Sequence, residues 1–453
     1  MGKLFGTDGV RGVANTELTP EMAFNLGRAA ASILGEEGLP GIEVMPTGTI
    51  VMGRDTRASG DMLEGALIAG ICSVGLSVLK VGVVPTPAVA YLARDLRASA
   101  GIMISASHNP IEDNGIKFFS ADGFKIPDEV EEQIETLIFG RKDPLPRPTG
   151  EKIGRVIPIE EAEDRYLDHI KKTVNLSLAG YRIVVDGAHG AAYRIAPRLL
   201  RELGAEVISL NTQPNGININ VDCGSTHPER LQKTVLKEKA HLGLAFDGDA
   251  DRVLGVDEKG RLVDGDQIMA ILVESLLRQG ALRQKILVTT VMSNFGLEQT
   301  MKRFDVKVVR TKVGDRHVLQ EMRRTKAQIG GEQSGHVILL DHNTTGDGIL
   351  TSLHLLESLK ENGKPLSEMA NLVEPLPQLL VNVPVKDKTR FQEDEEIQEA
   401  IKEMEAMLEQ KGRVMVRPSG TEPLIRVMAE GMDKDAVQRV VEALASVIDK
   451  KLN

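Results

Sequence analysis

The sequence has no Trp, four Tyr and ten Phe in 453 residues, which leaves little stacking surface for single-stranded nucleic acid. A basic excess is missing too. Against 55 Lys and Arg stand 65 Asp and Glu, a net charge of −10, the wrong sign for a nonspecific polyanion binder. Cys72 and Cys223 are the two cysteines, too few for a disulfide framework and without the paired spacing of a zinc site, so both are expected as inert reduced thiols. No apolar run approaches the roughly 18 residues of a membrane span, and MGKLFGTDGVRG lacks the apolar stretch of a secretion signal. The expectation is a cytoplasmic protein with neither nucleic acid nor membrane as partner.

What is present is ordinary in bulk and unusual in one respect. A content of 42% hydrophobic and 26% charged residues fits a globular chain, and at roughly 100 to 200 residues per domain the length predicts about three or four domains. Glycine is in excess, 44 of 453 or about 10%, against about 7% in average proteins. Short β-type runs (TIVMGR, AGIMIS, YRIVVD, HLGLAF, KILVTTV) alternate with stretches of helical spacing, a grammar that predicts parallel strands crossed by helices. After about residue 370 the pattern changes to a small α+β block. Linker signals lie at KDPLPRPTGE, at 257–260 and at VEPLPQ.

Four short segments carry the chemistry. ISASHNPIEDNGIKFF (104–119) sets Ser107 among small residues with His108 and Lys117 nearby, which suits a nucleophilic or phosphorylated serine; a polar Asn-Pro turn is the plainer reading. LAFDGDADRVLGVD alternates Asp247, Asp249 and Asp251 with residues too small to block approach, a donor set for Mg²⁺. A solvated acidic turn and a calcium EF-hand are the alternatives. The EF-hand is disfavoured by Arg252 where its loop requires Gly and by the strand-like residues before it. RPSGTEPLIRVM places Ser419, Gly420 and Thr421 between Arg417 and Arg426, a phosphate cradle or an ordinary tight turn. IGGEQSGHVI holds Glu332, Ser334 and His336, which suit sugar hydroxyls or a polar hairpin. GTDGVRG adds Arg11, TKVGDRHV adds Lys312, Asp315 and Arg316, and His189 reads as a helix-start hydrogen-bonding residue.

In this order and over nearly the whole chain, ISASHNP, DGDADR, GEQSGH and RPSGTEP resemble the α-D-phosphohexomutase family. FGTDGVRG, CGSTHPE, VGDR and GEQSGH resemble its bacterial branch acting on amino-sugar phosphates. The resemblance implies an α/β fold of four domains around a central cleft, three similar α/β domains with mixed sheets and a C-terminal α+β domain, divided at 1–152, 153–255, 256–372 and 373–453. It implies an intramolecular phosphotransferase that interconverts glucosamine 6-phosphate and glucosamine 1-phosphate, with Mg²⁺ and a sugar 1,6-bisphosphate as cofactors and a homodimer as the assembly. Ser107 matches the phosphorylated serine and, with Asp247, Asp249 and Asp251, the metal ligands. Arg11, His108 and Lys117 match positions around the reacting phosphate. Glu332, Ser334, His336 and Arg252 are expected at the sugar, and Arg417, Ser419, Gly420, Thr421 and Arg426 at the non-reacting phosphate. A glucose or mannose phosphate mutase of the same fold, a Mg²⁺-dependent sugar phosphatase and a non-catalytic binding protein are the competing expectations.

Overall fold

A computed structural model describes residues 4–6, 8–36, 48–140, 143–408, 411–419 and 423–453. The chain divides into two compact units, Met1–Val291 with Lys307–Asn371, and Met292–Val306 with Leu372–Asn453.

The first unit contains three sheets. In the first, β1 (Val10–Val13), β2 (Thr49–Arg54), β3 (Ser77–Val83), β4 (Ala100–Ile104), β5 (Asp113–Ser120) and β6 (Val156–Pro158) lie in the order β1-β5-β4-β2-β3-β6. In the second, β7 (Arg182–Asp186), β8 (Glu206–Leu210), β9 (Leu242–Phe246), β10 (Val253–Asp257) and β11 (Leu262–Val263) lie in the order β11-β10-β9-β7-β8. In the third, β12 (Ile286–Thr290), β13 (Lys307–Thr311), β14 (Ile329–Gly331) and β15 (Val337–Leu339) lie in the order β13-β12-β14-β15.

One layout repeats in all three. A first strand (β2, β7, β12) is flanked by two parallel neighbours, and the third of these strands (β4, β9, β14) turns back into an antiparallel partner (β5, β10, β15). The helix-strand alternation accounts for the parallel triplets, because crossover helices such as Ser59–Ser73 and Ala192–Glu202 return the chain to the same sheet end. The closing antiparallel strand makes each sheet mixed, as the family resemblance implied. It makes each motif loop a hairpin connection instead of a strand-to-helix turn. The central strands are apolar on both faces: β4 and β9 are buried throughout, as strands covered on two sides must be. In the first sheet the core is filled by Ile50, Met52, Ile102, Ile104 and Ile116 against Leu26, Leu63 and Leu67.

The second unit is a three-stranded antiparallel sheet, ordered β16 (Gln378–Pro384), β18 (Leu424–Gly431), β17 (Gly412–Pro418). Helices Glu395–Met407 and Lys434–Leu452 pack on it through Ile397, Val437, Val440, Val441, Leu444 and Ile448. The helix Phe295–Arg303 belongs to this unit. Asn294 Nδ2 donates to the carbonyl of Leu376 at 3.0 Å, and Thr300 Oγ1 donates to that of Leu372 at 2.9 Å. Among the described residues no helix is long and apolar enough to cross a membrane.

Candidate active site

The β4–β5 connection carries Ser107, the β9–β10 connection carries the three aspartates, and the β14–β15 connection carries Glu332, Ser334 and His336. The first two meet directly. Ser107 Oγ donates to Asp247 Oδ2 at 2.6 Å, although 140 residues separate them. Close approach depends on Gly248, where a Cβ would stand 2.4 Å from the Ser107 carbonyl oxygen. Ser107 is 1% exposed and adopts φ 54°, a left-handed conformation that costs a residue with a side chain about 1 kcal/mol.

Asp247, Asp249 and Asp251 are all buried, with one carboxylate oxygen from each lying within 4.8 Å of the others. Thr86 Oγ1 donates to Asp249 Oδ2 at 2.5 Å, and the backbone N–H of Arg252 to Asp247 Oδ1 at 3.3 Å. Asp249 Oδ1 and Asp251 Oδ1 accept no hydrogen bond among the described residues. Burial, then the charges of Asp251 and Asp249, push the Asp247 carboxyl well above its ordinary value. Three buried carboxylates, two of them with an unsatisfied oxygen, are a costly arrangement that a hard divalent cation relieves, so this donor set fits Mg²⁺. The strand before the loop and the strand after it remove the helix–loop–helix frame of an EF-hand.

Cations surround this acidic centre. Lys117 on β5 reaches Asp249 at 2.8 Å, Asp8 at 3.0 Å and Asp251 at 3.5 Å. Burial disfavours its ammonium, but Asp249, Asp8 and Asp251 outweigh burial and hold its pKa well above the usual value. Arg11 on β1 pairs with Asp8 at 2.5 Å and donates to Asn109 Oδ1 at 3.5 Å. His108 Nδ1 lies 3.4 Å from Ser107 Oγ. Burial and the neighbouring Arg252 and Arg11 lower His108 to about 4, so its ring is neutral near pH 7.

A cavity of about 420 Å³ opens over these groups, lined by Arg11, Ser107, His108, Asp251, Arg252, Glu332 and His336. Glu332 Oε1 accepts from the N–H of Gly314 at 3.1 Å, which ties the GEQSGH hairpin to the VGDR segment. His336 is 2% exposed. Its Nε2 accepts from the N–H of Gly346 at 3.2 Å, and its Nδ1 faces Asp251 Oδ1 at 3.6 Å. That geometry sets its ring between the aspartate trio and the cavity. Ser334 is exposed at the hairpin tip and does not line the cavity.

In the second unit, Arg417 and Arg426 are cross-strand partners on β17 and β18. Ser419 is buried, and its N–H donates to the carbonyl of Leu424 at 2.9 Å. Gly420 and Thr421 lie outside the described residues. Cys223 is buried, and burial followed by Asp186 and Asp222 pushes its thiol up to about 12, consistent with an inert side chain. His189 Nδ1 accepts from the Gln213 N–H at 3.2 Å, as a hydrogen-bonding residue of its turn.

Asp8, Thr86 and Lys125 escaped the sequence reading. Asp8 takes Lys125, Lys117 and Arg11, and despite burial these cations hold its carboxyl well below the usual range. Its signal was available in GTDGVRG, where it directly precedes Gly9 and stands three residues before Arg11. Lys125 joins Asp8 to Asp315, a pairing across 190 residues that spacing does not reveal.

Four family models match the chain: phosphoglucomutase/phosphomannomutase α/β/α domains I, II and III at residues 2–144, 164–260 and 264–376, and the C-terminal domain at 380–447. The chain belongs to the phosphoglucomutase/phosphomannomutase family. It is thus a phosphohexomutase enzyme with this family's α/β fold. Relatives within the family include the phosphoglucosamine mutases of Carboxydothermus hydrogenoformans, 58% identical over 99% of this chain and 100% of that one, and Heliobacterium modesticaldum, 56% identical over 99% of both. Among solved structures, a phosphoglucomutase/phosphomannomutase family protein from Burkholderia thailandensis matches with TM-score 0.81 at 25% identity, covering 100% of this chain and 98% of that one. Aspergillus fumigatus N-acetylphosphoglucosamine mutase, solved with GlcNAc-6P and magnesium, shares the fold with TM-score 0.71 at 18% identity over 99% and 96% of the two chains.

Proposed function

We propose that this phosphohexomutase interconverts glucosamine 6-phosphate and glucosamine 1-phosphate by way of a phosphoserine at Ser107 and a bound 1,6-bisphosphate. The observation that carries the mechanism is Ser107 Oγ at 2.6 Å from Asp247, inside the carboxylate trio. The amino sugar is supported by the relatives at 52% to 58% identity over essentially full length, which are phosphoglucosamine mutases.

In the forward direction the bond from phosphorus to Ser107 Oγ breaks as a bond to the free sugar hydroxyl oxygen forms, and the proton that this hydroxyl gives up ends on Ser107 Oγ, which leaves as a serine hydroxyl. The bisphosphate then turns, its other phosphate returns to Ser107, and no net phosphate is consumed. Repulsion between a phosphoserine and a substrate phosphate, each near −2, is the main obstacle. Arg11 and Lys117 offset charge on the equatorial oxygens of the transferring group. Asp247, Asp249 and Asp251, with an oxygen of phospho-Ser107, are the ligands for Mg²⁺, which when bound neutralises charge on the leaving serine oxygen. Glu332, with Arg252 lining the same cavity, binds the sugar, with Ser334 on the same hairpin. Arg417, Ser419, Gly420, Thr421 and Arg426 hold the non-reacting phosphate. The division at 1–152, 153–255, 256–372 and 373–453 assigns one of these roles to each part.

Side-by-side kcat/KM on glucosamine, glucose and mannose phosphates tests the substrate. Glucosamine phosphate should be preferred, and a preference for glucose 1-phosphate overturns the assignment. Stoichiometric release of inorganic phosphate would instead mark a phosphatase. Intact mass of active enzyme should show one phosphate, mapped to Ser107.

A further inference from the structure

Arg57 follows β2 in the segment GRDTRAS and has no part in the mechanism above. Its side chain is fully buried, yet every N–H it owns is engaged. Nε donates to Asp55 Oδ2 at 3.0 Å. Nη1 donates to the carbonyls of Pro110 and, at 3.1 Å, Asp113. Nη2 donates to the carbonyls of Ser107 at 3.1 Å and Asn109 at 2.8 Å. Four carbonyls of one loop therefore converge on one planar group. The five donors of a guanidinium point in fixed directions, so those carbonyls can lie only where the fork allows.

Asp55 completes the brace. Its Oδ1 accepts from the Arg57 N–H at 2.9 Å and its Oδ2 from Ser105 Oγ at 2.6 Å, while Ser105 Oγ accepts from the Ser107 N–H at 2.9 Å. Both backbone polar groups of Ser107 are thus held, its N–H through Ser105 and its carbonyl by Arg57. Asn220 Nδ2 adds a second donor to that carbonyl at 2.9 Å. A residue at φ 54° persists in this strained region when its surroundings over-determine it. A buried Asp–Arg pair is weak evidence for stability, since apolar residues could fill the same space at no greater cost. What the pair supplies here is a fixed path for the nucleophile's loop.

We propose that Arg57 is a positioning residue for phosphoryl transfer, setting the 107–113 loop so that Ser107 Oγ faces Asp247. The inference rests on the reading of Ser107 as the phosphoryl carrier. A displacement of about 1 Å at a reacting group costs about 10²-fold in rate, which sets the expected size of the effect.

The test is Arg57→Lys in the full chain. Lysine keeps the charge, but one ammonium cannot span four carbonyls. Expected are a kcat reduced about 10²-fold, a KM within about threefold of wild type, and an equal fall in the single-turnover rate at which phospho-Ser107 passes its phosphate to sugar phosphate. Rates are normalised to folded enzyme and to phosphate per chain by intact mass. A merely structural role would lower the folded fraction and leave the normalised kcat intact, and that result overturns the proposal. Should Arg57→Lys not fold, Ser105→Ala removes one link of the brace, with kcat expected to fall about tenfold at unchanged KM; an unchanged kcat counts equally against it. Ser107→Ala is run alongside. If it retains turnover, the phosphoserine reading fails; if it is inactive while Arg57→Lys turns over normally, the Arg57 inference alone fails.

Discussion

The β4–β5 and β9–β10 hairpins hold the same place in the same strand layout and present opposite chemical groups. Each turns through a left-handed residue that is not glycine, Ser107 at φ 54° and Ala250 at φ 56°. The first presents a single hydroxyl and the second three carboxylates. Their supports differ accordingly. The serine loop is held through its backbone by neutral and cationic donors, Arg57 and Asn220. The aspartate loop has backbone support too, from the N–H groups of Ala191, Thr86 and Gly348 to the carbonyls of Gly248, Asp249 and Ala250, but its side chains also take the charge of Lys117 and the hydroxyl of Thr86. A repeated backbone therefore fixes where two loops meet, while the side chains of the rest of the unit decide which reactive form each loop can carry.

The largest effect that would sharpen this contrast is Ser107→Ala. Mutase turnover should fall by about 10⁴-fold or more, with the phosphate lost from the intact mass. Residual activity near wild type would mean that the serine hairpin is not the reactive one. Asp249→Ala should cost about 10³-fold in Mg²⁺-dependent kcat while circular dichroism stays native, because Asp8 still pairs with Lys117. The two changes separate in a thermal melt. Saturating Mg²⁺ should stabilise wild type and Ser107→Ala by about 2–3 kcal/mol and leave Asp249→Ala almost unmoved. An equal rise in all three would remove the metal from the aspartate hairpin.

Gly248→Ala probes the contact between the hairpins. The added methyl has no room beside the Ser107 carbonyl, so a loss of about 1–3 kcal/mol is expected together with lower kcat. A neutral outcome would show that the loops need not touch. The smallest effect is a control away from both hairpins. His354, stacked on His342 at 4.9 Å, is lowered from 6.5 to about 3 by burial and then by His342. The unfolded chain takes up this proton below about pH 6.5 and the folded chain does not. Its contribution is thus complete above that pH and is lost progressively toward pH 3, by about 1–2 kcal/mol at pH 5. His354→Gln should flatten that slope in urea melts without changing turnover at neutral pH. A change in turnover would tie general stability to the geometry of the loops.

Much of the site was readable because small residues beside charged ones mark places where backbone and ligand meet. ISASHNP and DGDADR singled out the two loops whose Ser107 and Asp247 meet, and β9 before the aspartates argued against an EF-hand. His336 lines the same cavity as Glu332, and its approach to Asp251 joins two loops that spacing alone does not bring together. Arg57 and Asp55 stood in view after an apolar strand, where functional loops begin, but their partners are carbonyls some fifty residues on, and carbonyls leave no trace in side-chain chemistry.

Composition set the expectations about partners, and local patterning marked the strands, the helices and the motif loops, because these depend on residues close in the chain. The glycine excess found its place in the same way: Gly248 lies where one hairpin presses on the other. Three things came from the tertiary structure alone. They are the repeated strand layout that stacks equivalent hairpins, the 2.6 Å approach of Ser107 to Asp247, and the brace beneath the serine loop. Each is a contact between segments distant in sequence, set by sheet register and burial, and no periodicity along one chain encodes which loop will face which.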